Sequence, residues 1–235
     1  MKTAVIDQAL QEAQDRLLEK RAMLCRTVPH GQKTDNIDFQ AIADRCKEKS
    51  ITLGKVYDFK PERETKALFT VPKLYQHCTF ENFTGNEKLI SDIRSIGTAD
   101  VVLRGNTGTG KTHLAIAMGK TVTIPTLFTT VPDILLRLRS SFSGGLQTEE
   151  EIIREYAIYP CLILDDLGAE NTSAFAIEKL SIILDRRIRE CRRTIITTNL
   201  TKEQIEQTLG ARIASRMTAM VNFKINMPDW RKKRG

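Results

Sequence analysis

Gly105-Asn106-Thr107-Gly108-Thr109-Gly110-Lys111-Thr112 is the stretch on which the fold turns. It matches G-x-x-x-x-G-K-[ST], with the apolar run Val101–Leu103 before it and His113-Leu114-Ala115-Ile116-Ala117-Met118 after it as a helix. Glycines let the backbone close around phosphate oxygens with its N–H groups turned inward. The helix that follows presents its positive N-terminal end to the same anion. Lys111 is then the cation for the β- and γ-phosphates, and the Thr112 hydroxyl is a ligand for Mg²⁺. Gly105 to Thr112, with His113 behind them, are the expected ATP-binding residues.

A phosphate loop requires a second apolar strand ending in a carboxylate. Cys161-Leu162-Ile163-Leu164-Asp165-Asp166 supplies one. Asp165 fits the metal side, directly or through a water. Asp166 fits the carboxylate that activates the attacking water. Thr194-Ile195-Ile196-Thr197-Thr198-Asn199 is a third strand, and its terminal amide falls at the sheet edge where ligands collect. Asn199 there is either a hydrogen-bonding partner of the γ-phosphate or water, or a plain turn residue. Arg212 and Arg216 lie four apart on one face of a helix, placed to reach a neighbouring subunit's phosphate.

Around these motifs, strands and helices alternate. Apolar runs at Val101–Leu103, Ile124–Phe128, Cys161–Leu164, Thr194–Thr197 and Met220–Ile225 are separated by helical patterns near 111–120, 131–142, 148–157, 173–191 and 202–218. The alternation predicts an α/β fold, a parallel sheet flanked by helices over residues 77–235. Before it, Ile6, Leu10, Ala13, Leu17 and Leu24 mark one amphipathic helix, and Phe39, Ile42, Ala43 and Cys46 mark a second. Residues 1–48 therefore read as a small helical domain. Residues 49–76, broken by Gly54, Pro61 and Pro72, read as a linker with one short strand at Ile51–Phe59.

Composition sets the outer bounds. The 235 residues carry 36 Lys+Arg against 29 Asp+Glu, a net charge of +7, with 41% hydrophobic and 28% charged residues. That profile excludes a disordered chain, and no apolar run is long enough to span a membrane. Five scattered cysteines give no disulfide framework and fit the cytoplasm. Cys25, His30, Cys46, His77 and Cys78 contain no C-x₂₋₄-C pair, so spacing supplies no zinc motif. Arg186, Arg187, Arg189, Arg192 and Arg193 crowd one helix end, and Arg231 to Arg234 form another basic cluster. Each is read either as solvated charge or as phosphate-facing.

Phosphate loop, Asp-Asp strand, Thr-Thr-Asn strand and Gly210-x-Arg212-x-x-x-Arg216-Met217, in this order, resemble the AAA+ ATPases. Cys78-Thr79-Phe80-Glu81-Asn82-Phe83, Gly110-Lys111-Thr112-His113-Leu114 and Leu164-Asp165-Asp166-Leu167-Gly168-Ala169-Glu170 are most similar to bacterial replicative-helicase loaders of the DnaC/DnaI type. The resemblance implies that Arg216 is a finger acting in trans with Arg212 beside it, and that Asn199 is the first sensor. It places Phe80 and Phe83 near the adenine, and Phe142 and Ser173 against single-stranded DNA. Arg137 and Arg139 share the predicted helix with Phe142, and cations beside an aromatic suit stacked bases and phosphates.

Two features depart from the wider family. No helical lid is expected in the few residues after Met217, and Arg231 is there a weak candidate to substitute for the lid's sensor arginine. Asp166 stands where many relatives have Glu, one methylene longer, which implies slow turnover. The functional expectation is an ATPase that binds a hexameric replicative helicase through residues 1–48, self-associates through its ATPase domain and delivers the helicase onto single-stranded DNA at the nucleoid. Transposition helper ATPases of the IstB kind share nearly all of these strings. A nucleotide-gated adaptor with little hydrolysis is a third reading.

Overall fold

The computed structural model describes residues 69–122, 124–142, 144, 146–168 and 173–230. The helices read at 1–48, the strand at Ile51–Phe59 and the cations at 231–234 lie outside the described residues.

Six parallel strands make one sheet: β1 (Phe69–Thr70), β2 (Val101–Arg104), β3 (Thr126–Thr130), β4 (Cys161–Leu167), β5 (Arg193–Thr198) and β6 (Val221–Lys224). Their order is β1-β3-β4-β5-β2-β6. The helices are α1 (Glu87–Ser95), α2 (Lys111–Lys120), α3 (Val131–Ser141), α4 (Glu149–Ile158), α5 (Ala174–Arg189) and α6 (Lys202–Thr218). Five strands and five helices fall where the alternation placed them. β1 lies inside the stretch read as linker. Two residues carry no periodicity, and Phe69 is a strand only because Thr126 pairs with it.

Central strands of a parallel sheet are apolar on both faces, which is why they read as unbroken hydrophobic runs. Val102, Leu162, Leu164 and Ile196 share one core with Ile134, Leu138, Ile152, Leu180, Ile183, Leu209 and Ile213 of α3 to α6. Ile163, between Leu162 and Leu164, points to the opposite face and packs on α2, where a Cβ at Gly119 would come within 2.9 Å of its Cδ1. Burying such a Leu or Ile side chain contributes about 1.5–3 kcal/mol.

The helix starts separate structural ends from the functional one. Asn86, Thr130, Thr148, Ser173 and Thr201 each accept a hydrogen bond from a first-turn N–H of their helix, and Thr148–Glu151 and Thr201–Gln204 are reciprocal capping boxes. α2 alone among these six starts at a glycine, Gly110 in the left-handed region (φ 88°), with no side-chain cap. Its first N–H groups remain available to an anion.

In the arginine cluster at 186–193, Arg187 and Arg193 turn inward and Arg186 is engaged by an acidic side chain, while Arg189 is exposed. Arg187 and Arg193 are fully buried at the N-terminal edge of the sheet, opposite the phosphate loop. Arg187 Nη1 donates to the carbonyls of Tyr156 (2.7 Å) and Tyr159 (2.8 Å), Nη2 to that of Arg193, and Nε to the Thr194 hydroxyl (3.0 Å). Arg193 Nη2 donates to the Gly97 carbonyl, and Arg186 pairs with Glu150. Buried strand and helix ends need donors for their carbonyls, and arginine supplies five.

Candidate active site

The C-terminal edge of the sheet gathers residues from four strand ends. The loop leaves β2, and Gly105 N–H donates to the Thr198 carbonyl at 3.3 Å, anchoring it to β5. Thr109, buried, ties the loop across itself by donating to the Asn106 carbonyl at 2.8 Å. Gly108 has φ 78°, a conformation that a side chain rarely adopts. Lys111 is buried with Nζ 2.8 Å from the Asn106 carbonyl and 2.7 Å from Asn199 Oδ1. The Thr112 hydroxyl donates to Asp165, 2.9 Å to Oδ1.

Thr197 connects the two aspartates. Strand β4 pairs Leu164 with Ile196 and then Leu167 with Thr198. Two residues, Asp165 and Asp166, therefore stand opposite the single Thr197, which is a β-bulge. The Thr197 hydroxyl donates to Asp165 Oδ1 at 2.6 Å and accepts the Asp166 N–H at 3.0 Å. Asp166 takes the left-handed conformation (φ 57°), uncommon for a residue with a side chain and a form of strain found at functional sites. Burial pushes the Asp165 carboxyl above the usual carboxylate range, and Asp166 adds to this. Thr197, Thr112 and Lys111 pull it back. A hydroxyl and a carboxylate side by side form a hard oxygen donor pair that suits Mg²⁺.

The segment after β6 closes over the loop, which the sequence did not announce. A cavity of about 540 Å³ is lined by Asn106, Thr107, Asn199, Met227, Pro228 and Asp229. Trp230 N–H donates to the Gly108 carbonyl at 3.1 Å, and a Cβ at Gly108 would collide with the Asp229 carboxylate. Beneath the loop, a Cβ at Gly110 would meet the Phe83 ring at 2.6 Å, and Phe83 sits edge-on to His113 with centroids 5.3 Å apart. Phe83 thus abuts the phosphate loop, whereas Phe80 is core packing under the Arg94 guanidinium.

The arginine pair sits apart from this cluster. Gly210 breaks α6 (φ 82°, ψ 158°), so Arg212 and Arg216 ride on a separate helical piece. Both pair with Asp185 of α5, Arg212 Nη2 at 2.7 Å, and Arg212 is 70% exposed. Their partners among the described residues are thus Asp185 and, for Arg216, the Arg212 carbonyl.

The residues read as DNA contacts divide. Phe142 is exposed and edge-on to Phe175 at 5.8 Å, and Arg139 is exposed. Arg137 is held by Glu155, Tyr156 and Gln147. Ser173 caps α5, accepting the Ala176 N–H. Asp185, Thr197 and Asp229 escaped the sequence reading, because each acts through a neighbour distant along the chain.

Comparison with known proteins gives three kinds of likeness. A family model described as IstB-like ATP binding protein matches residues 57–222. The uncharacterized protein YdaV of Escherichia coli K12 is 32% identical over 178 residues, 68% of this chain and 71% of that protein. The replicative helicase loader DnaC of the same strain is 30% identical over 189 residues, 70% of this chain and 76% of that protein. The crystal structure of a DnaC helicase loader superposes with a TM-score of 0.59 at 24% identity, over 66% of this chain and all of that one. The fold is that of the AAA+ ATPases.

Proposed function

Since the chain belongs to the IstB-like ATP-binding family and has DnaC helicase loaders among its relatives, we propose that it is an ATP-dependent loader of a replicative helicase. In this reading residues 1–48 bind the hexameric helicase, ATP-bound protomers associate through their ATPase domains, and the helicase is delivered onto single-stranded DNA. One observation carries it: the Lys111–Asn199 and Thr112–Asp165 contacts gather a phosphate and cation site in a chain that matches 76% of a DnaC loader.

The chemistry follows from the side chains. The loop N–H groups and Lys111 bind the β- and γ-phosphates. Thr112 and Asp165 would hold Mg²⁺, which when bound would supply positive charge at the phosphates. Asp166 accepts the proton of the attacking water, and Asn199 orients that water or the γ-phosphate. Arg216, with Arg212 beside it, reaches the γ-phosphate bound by the adjoining protomer. Asp185 holds both arginines on that surface. Asp166 is one methylene shorter than Glu and fixed in a strained turn, so turnover is slow and helicase or DNA raises it. Phe142 and Arg139 face the single strand.

The test mixes the full chain with a purified hexameric replicative helicase and measures ATP-dependent unwinding on single-stranded DNA coated with its binding protein. Stimulation that is lost in Lys111→Ala, and in a chain lacking residues 1–48, supports the loader. Arg216→Ala is expected to keep nucleotide binding and lose hydrolysis by roughly 10³-fold. The IstB-like family match favours a second reading, a transposition helper that binds duplex DNA. Tight ATP-dependent duplex binding with no effect on the helicase selects it. Loading that survives Asp166→Asn but not Lys111→Ala selects a nucleotide-gated adaptor.

A further inference from the structure

The segment leading into α1 brings two adjacent side chains of metal-ligating type, His77 and Cys78, beside a third, His113, in the first turn of α2. One donor atom from each of His77, Cys78 and His113 lies within 4.8 Å of the other two. Cys78 Sγ is 3.9 Å from His77 Nε2. Tetrahedral zinc, with Zn–N of about 2.0–2.1 Å and Zn–S of about 2.3 Å, separates nitrogen and sulfur ligands by roughly 3.6 Å. Small side-chain rotations therefore close this site.

The hydrogen bonding of His113 sets its chemistry. His113 Nε2 is 2.8 Å from the Thr79 carbonyl oxygen. A carbonyl only accepts, so Nε2 carries the proton and Nδ1 keeps its lone pair. A ring N–H tied to a backbone carbonyl is the usual outer partner of a metal-ligating histidine. The His77 and His113 rings stand at 80° with centroids 6.1 Å apart. Cys78 is buried, His77 exposed and His113 between them. A buried thiol alone reads as a small apolar side chain. Here it converges with two imidazoles, one of them already oriented by a ring N–H bonded to a backbone carbonyl.

We propose that His77, Cys78 and His113 form a zinc site, with the fourth position open to water on the exposed His77 side. One thiolate and two imidazoles are a borderline-soft donor set, which suits zinc and not the magnesium expected at the oxygen pair of Thr112 and Asp165. The metal would pin the lead-in segment to α2 and so hold Phe83 against Gly110. The site stands whether or not the chain loads a helicase.

The experiment uses the full chain, stripped with chelator and dialysed against Zn²⁺, with bound metal counted by mass spectrometry. Cobalt substitution reads the ligand type. The expected result is one zinc per chain and a thiolate-to-cobalt charge-transfer band. Both should be lost in Cys78→Ser, and in His77→Ala, an exposed substitution whose folding is checked by circular dichroism. Cys25→Ser with Cys46→Ser should retain both. Less than stoichiometric uptake by the parent chain overturns the proposal. So does uptake that survives Cys78→Ser or His77→Ala, or that vanishes when Cys25 and Cys46 are replaced.

Discussion

The two edges of the sheet bury the same kinds of polar group and use them in opposite ways. At the C-terminal edge, Lys111, Asp165 and Thr197 are buried, and their partners include the ends of other side chains: Asn199, Thr112 and each other. At the N-terminal edge, Arg187 is buried and spends its donors mainly on backbone carbonyls. A side chain can rotate away to a new partner, whereas a strand carbonyl cannot leave without unravelling the strand. Burial of charge therefore marks a site only where the partners are exchangeable.

The largest expected effect tests that directly. Lys111→Ala removes the cation from the phosphate loop. Hydrogen bonds to a charged group contribute about 1.5–3 kcal/mol each, so nucleotide affinity by calorimetry should fall at least roughly 100-fold. The melting temperature should barely change. A variant that bound nucleotide normally, or that unfolded, would erase the contrast between the two edges.

Arg187→Ala is the mirror experiment. Several carbonyls lose their donor at about 1–3 kcal/mol each, and stability to urea should drop by about 3–5 kcal/mol. Nucleotide affinity of the remaining folded protein should be unchanged. Lysine should not rescue, because one ammonium cannot span acceptors that a guanidinium fork reaches.

Thr197→Val sharpens the boundary, since Thr197 is both a strand residue and the bridge between the aspartates. Loss of its hydroxyl is expected to cost about 1–3 kcal/mol of stability. ATP hydrolysis should slow on the order of tenfold, while nucleotide affinity holds. Stability falling with hydrolysis intact would assign Thr197 to the scaffold alone.

The smallest effect concerns Asp229, whose carboxylate rests on Gly108. A carboxylate beside the phosphate loop opposes an incoming triphosphate. Asp229→Asn should tighten nucleotide binding a few-fold, about 0.5–1 kcal/mol at a partly exposed position. The gain should shrink as salt is added. Weaker binding would mean that Asp229 holds the nucleotide instead.

Which parts were legible in the sequence follows from chain distance. The loop 105–112, the carboxylates at 165–166 and the amide at 199 are each a few consecutive residues at the end of an apolar run, so their chemistry is written locally. Thr197 looks like any strand threonine until the bulge in β4 sets it between two aspartates. The five arginines at 186–193 look like one patch, yet Arg187 points into the protein while Arg186 meets Glu150. Helical periodicity gives a face, not the carbonyls that wait beneath it.

Sequence by itself determined the parallel α/β architecture, the phosphate loop and its cation, because consecutive residues and their spacing fix which strand ends carry which groups. Tertiary structure alone decided the rest. Strand order brought Asn199 to Lys111, and a register shift turned Asp166 into the left-handed region. The path of the chain after β6 laid Asp229 on the loop, and the lead-in segment set His77 and Cys78 beside His113. Each of these contacts joins groups that share no local pattern, and only the burial of the apolar runs forces them together.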